Sequence, residues 1–230
     1  MRRRALYSGG DTLPSGLVSK YTFINGSLLD TEGLLGATLA NSGCSQVVGA
    51  DGVANSAFAR TANPNVLYYT PATATFTPYF ATTRIVNMLC WFKTSSASDG
   101  VFINLRQVGS VGLHGLYYSG GIINYLFSSG IFSTGVAVKS DGLYHHYELP
   151  FNRGGSGSGP TVVTLRIDGI IVFSETRTGD GLWTTYITEL VLLANVGGGS
   201  TGKIGSIDNV RLYNRELTAD ERIKIITEFL

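Results

Sequence analysis

Charge is scarce in this chain. Of 230 residues only 14% are Asp, Glu, Lys or Arg, and the formal net charge is +1. A balance so near neutrality leaves no broad field to draw in nucleic acid or an anionic membrane. The hydrophobic share of 43% excludes the apolar-poor composition of disordered chains. Cysteine is nearly absent: Cys44 and Cys90 permit one disulfide but no disulfide framework. Cys90 lies in the apolar run MLCWF and reads as a buried thiol. No run approaches the ~20 apolar residues of a membrane-spanning helix. The start, MRRRALYSGGDTLPSG, lacks the apolar core of a secretory signal, so export by the general secretory route is not expected. No period of roughly 20–50 residues recurs, which argues against solenoids and propellers.

Glycine and aromatic residues are plentiful. The 30 glycines, 12 tyrosines and 11 phenylalanines suit an all-β protein with many tight corners. Strand-like runs recur along the chain. Leu17 to Asp30 opens the folded body and contains the turn signal Asn25-Gly26. Short apolar pieces follow between Gly36 and Phe58, and Pro71 to Pro78 reads as loop and edge material. Arg84 to Lys93 is the most apolar strand of the first half, with Trp91 expected inside. Val101 to Phe127 predicts two or three strands, and Val136 to Pro150 a further one. Thr161 to Ser174 predicts a hairpin around Asp168-Gly169, and Ile187 to Asn195 the penultimate strand. The glycine-rich stretch Asn152 to Gly159 is a connector within one domain.

The closing stretch, Gly202 to Leu230, carries the most information. Ile204, Ile207, Val210, Leu212 and Tyr213 predict a half-buried strand. Thr218 precedes Glu221 by three residues, the spacing of a capping box, and Ile223, Ile226 and Leu230 fall on one helical face. The run Gly205, Ile207, Asp208, Asn209, Val210, Arg211, Leu212, Tyr213, Asn214, Arg215, Leu217, Thr218 and Glu221 resembles the end of laminin G-like domains of the concanavalin A-like lectin/glucanase superfamily. Tyr21, Phe23, Asp30 and Gly33 resemble the family's opening, and the 85–93 and 141–172 stretches its middle strands. Tyr144 stands where that family usually has tryptophan. The resemblance implies an all-β fold, one two-sheet antiparallel jelly-roll sandwich over residues 17–230 with a short C-terminal helix. It also implies that the first and last strands pair near one edge.

Residues 1–16 read as an N-terminal arm. A frayed terminus is one reading. The other is an anchoring peptide in which Arg2, Arg3 and Arg4 pair with carboxylates of a partner.

Hydrolases on this fold cleave glycans with two carboxylates across the scissile bond. Laminarinase-type relatives set them on one strand as E-[IL]-D-x-x-E. This chain has no such run: Glu148, Glu175 and Glu189 are isolated, and no enzymatic activity is expected. His145 and His146 project to opposite faces of a strand and cannot grip one metal together, while His114 reads as a loop residue. The resemblance implies a calcium site, for which Asp208, Asn209 and Asp30 are the candidate donors. The alternative is that Asp208 accepts backbone N–H bonds, and Asn209 in place of a second aspartate weakens any calcium site. Sugar recognition needs aromatic faces beside amides or Arg, and Tyr117, Tyr125, Trp183, Tyr186 and Arg106 are available. Trp183 follows Gly179-Asp180-Gly181 in a loop.

Three function classes follow. The first is a structural virion component of phage fibre or decoration type, assembled in the host cytoplasm and displaying a lectin-like body that binds host or environmental glycans. Its arm would hold other virion or assembly proteins, and a homo-oligomer is one arrangement this layout allows. Neither nucleic acid nor membrane is an expected partner. The second is a carbohydrate-binding module of a secreted or surface protein, hence extracellular. The third is a glycan-cleaving enzyme with an atypical carboxylate pair. The first is the expectation.

Overall fold

The computed structural model describes residues 14–30, 33, 38–60, 66–69, 76–95, 100–106, 114–127, 130–153, 159–178, 187, 189–194 and 205–228. The strands are β1 (Leu17–Tyr21), β2 (Ala40–Ser42), β3 (Ser45–Val47), β4 (Ala57–Arg60) and β5 (Val66–Tyr69). After the short helix α1 (Thr77–Ala81) come β6 (Ile85–Lys93), β7 (Gly100–Arg106), β8 (His114–Ser119), β9 (Ile122–Phe127) and β10 (Gly130–Ala137). Then follow β11 (Tyr144–Asn152), β12 (Thr161–Ile167), β13 (Ile170–Arg177), β14 (Glu189–Ala194), β15 (Gly205–Tyr213) and helix α2 (Ala219–Thr227).

Two antiparallel sheets form a jelly-roll sandwich. One runs β13-β12-β11-β6-β15-β4-β3, with β1 also paired to β15; the other runs β10-β9-β8-β7-β14-β5-β2. The first and last strands pair, but not at the sheet edge the resemblance implied. β15 is central, with β6 on one side and, end to end on the other, β4 at residues 205–207 and β1 at 210–213. Its own alternation explains this: Ile207, Val210 and Leu212 enter the core, while Leu89 and Tyr213 face outward beneath α2.

The core fills by alternation. Val86, Met88, Cys90 and Phe92 of β6 point between the sheets, and Phe92 stacks on Phe102 of the opposite sheet at 3.9 Å. Trp91 is buried as expected, but on the outer face, where its ring meets His146 edge-on at 5.5 Å. Cys44 and Cys90 are separate, buried free thiols. The predicted hairpin closes through Asp168 and Gly169, both at positive φ, the conformation of a two-residue type I′ turn.

Helix α2 starts with the predicted capping box, both reciprocal bonds between Thr218 and Glu221 being formed. Its buried face differs from the expected one. Ile225 enters a cluster with Leu17, Leu89, Tyr213 and Leu217, whereas Ile223 is 59% exposed. The Arg222–Glu148 ion pair, 2.7 Å, fixes the helix's rotation, and it is a contact that periodicity does not register. Residues 77–81 are helical rather than loop, with Pro78 in the first turn where its missing N–H costs nothing. His114 is not a loop residue. It begins β8, fully buried, and lies edge-on to Phe151 at 4.9 Å.

Candidate functional site

The outward face of the seven-stranded sheet carries polar and aromatic side chains, of which Asn104, Asn124 and Tyr117 are buried and Tyr68 and Arg106 reach solvent. One register row crosses every strand: Ile131, Leu126, Gly115, Asn104, Val191, Tyr68 and Ala40. Strand alternation puts these outward because Leu67, Leu116, Leu190 and Leu192 take the inward places. Gly115 keeps the row tight, since a Cβ there would lie 2.9 Å from Leu126 Cδ1 and 3.2 Å from Asn104 Oδ1. A neighbouring row holds Ser133, Asn124, Tyr117 and Val101. On the other side of the first row, Arg106 Nε meets Glu189 Oε2. Among the described residues, Tyr68 is the exposed aromatic of this face, at 37%.

Among the sequence-predicted sugar residues, Tyr117 and Arg106 thus share one face. Tyr117 is buried against Val101 and Leu126 and presents no ring face to solvent. Tyr125 is not on this face at all. It points into the core, stacked on Phe132 at 5.4 Å, with its hydroxyl at Glu175 and Arg177. As folded, its ring cannot serve as a sugar platform. Trp183 and Tyr186 lie outside the described residues, as do Arg2, Arg3 and Arg4. Tyr68 was missed by the sequence reading. Its signal is the alternation in VLYY, where Leu67 and Tyr69 pack inward and Tyr68 is left out.

The three calcium candidates are not brought together. Asp30 turns back on β1 and accepts from Lys20 N (2.9 Å), Gly33 N (2.7 Å) and Ser19 Oγ (3.1 Å). Asn209 Oδ1 accepts from Arg211 Nε at 3.0 Å, and a guanidinium is a poor neighbour for a cation. Asp30 and Asn209 therefore do not fit a calcium ion. Asp208 does better. Its Oδ2 accepts from Ala50 N at 3.0 Å, beside a loop that also carries Asp51. A Cβ on Gly49 would lie 2.1 Å from Ser56 Oγ, 2.5 Å from Asp208 Oδ2 and 3.1 Å from Asp51 Oδ1, so both carboxylates stand close to Gly49, with the Ser56 hydroxyl donating to Asp51 Oδ1 at 2.9 Å. Nearby, burial and then the Asp208 charge push the Tyr144 hydroxyl above its ordinary range, and that hydroxyl donates to Val48 O at 2.9 Å.

The three glutamates singled out by the sequence each meet an arginine. Glu148, fully buried under α2, takes Arg222 and Asn87 Nδ2. Glu175 takes Arg177 at 3.0 Å, and Glu189 takes Arg106. His145 and His146 do project to opposite faces: His145 reaches Asp141 and Asp168, while His146 is buried beside Trp91.

Compared by sequence, the chain matches no family model and no curated protein. Solved structures are similar to it in fold. A structure of botulinum neurotoxin type C, whose cell entry is described as dependent upon interaction with two ganglioside molecules, matches at TM-score 0.69 and 9% identity over 94% of this chain. The chain spans 51% of that structure, about half its length. Domain 4 of AbnA, a GH43 extracellular arabinanase from Geobacillus stearothermophilus in complex with arabinotriose, matches at 0.65 and 17% identity, over 91% of this chain and 98% of that one. A Trypanosoma rangeli sialidase matches at 0.65 and 15% identity, over 93% of this chain and 32% of its own. The fold is a lectin-like sandwich. At these identities the likeness carries the architecture and nothing finer.

Proposed function

We propose that this chain is a non-catalytic glycan-binding domain that recognises sugars on the outward face of its seven-stranded sheet. One observation carries the reading: exposed Tyr68 lies on the same sheet face as the part-exposed Arg106 guanidinium, two strands away. An exposed aromatic ring can meet a sugar's apolar face, and a guanidinium on the same face can fix hydroxyls. The ligands of the neighbouring folds, arabinotriose and gangliosides, lend support. The pairing of Glu148, Glu175 and Glu189 with arginines supports a binding role over a cleaving one. A glycan array is the test. The wild type should retain a defined set of glycans, and Tyr68→Ala or Arg106→Gln should lose them without loss of fold. Binding that survives both substitutions would move the site elsewhere, and release of reducing ends from any polysaccharide would favour the enzyme.

Within the superfamily, the closing strand supports the laminin G-like branch. The finer reading is a virion component of fibre or decoration type, residues 1–16 forming the arm that holds it to assembly proteins through Arg2, Arg3 and Arg4. What supports it is the sequence layout, an arginine cluster ahead of a folded body. Deleting residues 1–10 should abolish incorporation into particles and leave glycan binding intact. The second reading, an extracellular carbohydrate-binding module, is favoured by the likeness to nearly the whole of the arabinanase domain. It would leave the deletion without effect on assembly. Calcium, where bound, would be held by Asp208 and Asp51 as hard oxygen donors that steady the 48–56 loop. Added calcium should then raise the melting temperature of the wild type and not of Asp208→Asn.

A further inference from the structure

The link between β10 and β11 and the turn between β12 and β13 meet at one imidazole. His145 Nδ1 lies 2.7 Å from Asp168 Oδ2, and its Nε2 lies 2.9 Å from Asp141 Oδ2. A neutral imidazole has one N–H and can donate to one of these carboxylates only. Only the imidazolium, with an N–H at each nitrogen, donates to both carboxylates at once. No other charge faces it from the neighbouring strands among the described residues. Its register partner on β6 is Phe92, and the ammonium of Lys93 sits instead over the Tyr144 ring, 4.6 Å from its centroid. Tyr147, two residues along β11, is buried and neutral, and its hydroxyl accepts from Lys139 N at 3.2 Å. Burial works against the charge on His145, but hydrogen bonds to Asp168 and then Asp141 outweigh it, so its pKa is raised.

We propose that His145 is a pH-operated clasp that locks the 138–143 link onto the β12–β13 turn when protonated and releases it when neutral. The two sides are unequal, which decides where it opens. Asp168 stays fixed after deprotonation, because its Oδ1 accepts from His146 N at 2.9 Å and its own N–H donates to His146 O at 2.8 Å. Asp141 otherwise accepts, among the described residues, from the Leu143 N–H, 2.9 Å away and within its own link. The lone pair of a neutral Nε2 would face the Asp141 carboxylate and repel it. The link then loses its tie to the turn; Val138 N to Gly121 O (2.9 Å) and Lys139 N to the Tyr147 hydroxyl (3.2 Å) still hold its start, and Gly142 N to Thr94 O, 3.1 Å, is what holds its tip.

The test is a pH titration of the full chain by NMR, following the His145 ring and the exchange of the Gly142 and Leu143 amides. The expected midpoint lies above the usual value of about 6.5. Corrected for intrinsic rates, the two amides should exchange roughly tenfold faster above that midpoint, the factor for one charge-assisted hydrogen bond. Asp141→Asn, a change at an exposed side chain that spares the fold, should lower the midpoint and show fast exchange already at pH 6. A wild-type midpoint at or below 6.5, protection that stays flat through the titration, or a midpoint unmoved by Asp141→Asn would each overturn the proposal.

Discussion

Glu148 shows how much can hang on one buried side chain. It is fully enclosed between the eight-stranded sheet and α2, where Arg222 approaches both of its oxygens, Arg166 lies at 3.8 Å and Asn87 donates at 3.0 Å. Removing one partner of such a set leaves the other charges without compensation. Glu148→Gln should therefore cost roughly 3–5 kcal/mol in urea denaturation. Replacing Glu148 and Arg222 together by leucine should cost less than either change alone, because no orphaned charge remains.

The three histidines respond to acid in opposite senses. Burial depresses His114 and His146 to about 3. The unfolded chain takes up protons at these positions below about 6.5 while the native chain does not, so acid erodes stability from about pH 6.5 down to pH 3. Each contributes a slope of up to about 1.4 kcal/mol per pH unit in that window. His145 behaves conversely. Its raised pKa gives a stabilisation that is complete below about pH 6.5 and fades as pH climbs through the folded value. Thermal melts across pH should accordingly peak near 6.5. Replacing His146 with a neutral residue should flatten the acid side alone.

At the scale of elements, local signals were legible and partners were not. The capping box of α2 and the Asp168-Gly169 turn could be read because both are set by residues within four positions of each other. The rotation of α2 could not, since it depends on Glu148, 74 positions from Arg222. The same holds for Asp208: its alternative role as an acceptor of backbone N–H bonds could be stated, but the donor, Ala50, lies 158 positions away. Tyr125 misled for a related reason. Its type suits a platform, and only the pairing of β9 with β8 and β10 decides that it faces inward.

Two substitutions probe the elements themselves. Thr218→Ala removes one half of the capping box and should lower stability by about 1 kcal/mol, with loss of helical signal confined to α2. Gly205 opens β15 at φ 133°, and a Cβ there would stand 2.1 Å from the Lys93 carbonyl oxygen. Backbone is on both sides of that clash, so Gly205→Ala should cost about 2 kcal/mol or more. Its amide exchange should quicken along the β15–β6 ladder first.

For the whole molecule, the decisive feature is that the last strand is the hub of one sheet. β15 joins β1, β4 and β6, so that sheet cannot close until nearly all of the chain is available. Contacts of such long sequence separation slow folding to the millisecond-to-second range expected of all-β sandwiches.

The adjacency of the first and last strands has a practical outcome. Ser15 O accepts from Arg215 Nε at 2.7 Å, and Glu228 pairs with Arg211, itself the register partner of Lys20. Elsewhere, Arg153 Nε donates to Gly159 O at 3.1 Å across a glycine-serine stretch. A circular permutant that joins the old termini with a short flexible linker and opens the chain between Gly155 and Ser156 should keep both sheets, checked by its amide spectrum. The body could then be grafted as an insert into a surface loop of an unrelated host, entering and leaving through neighbouring points.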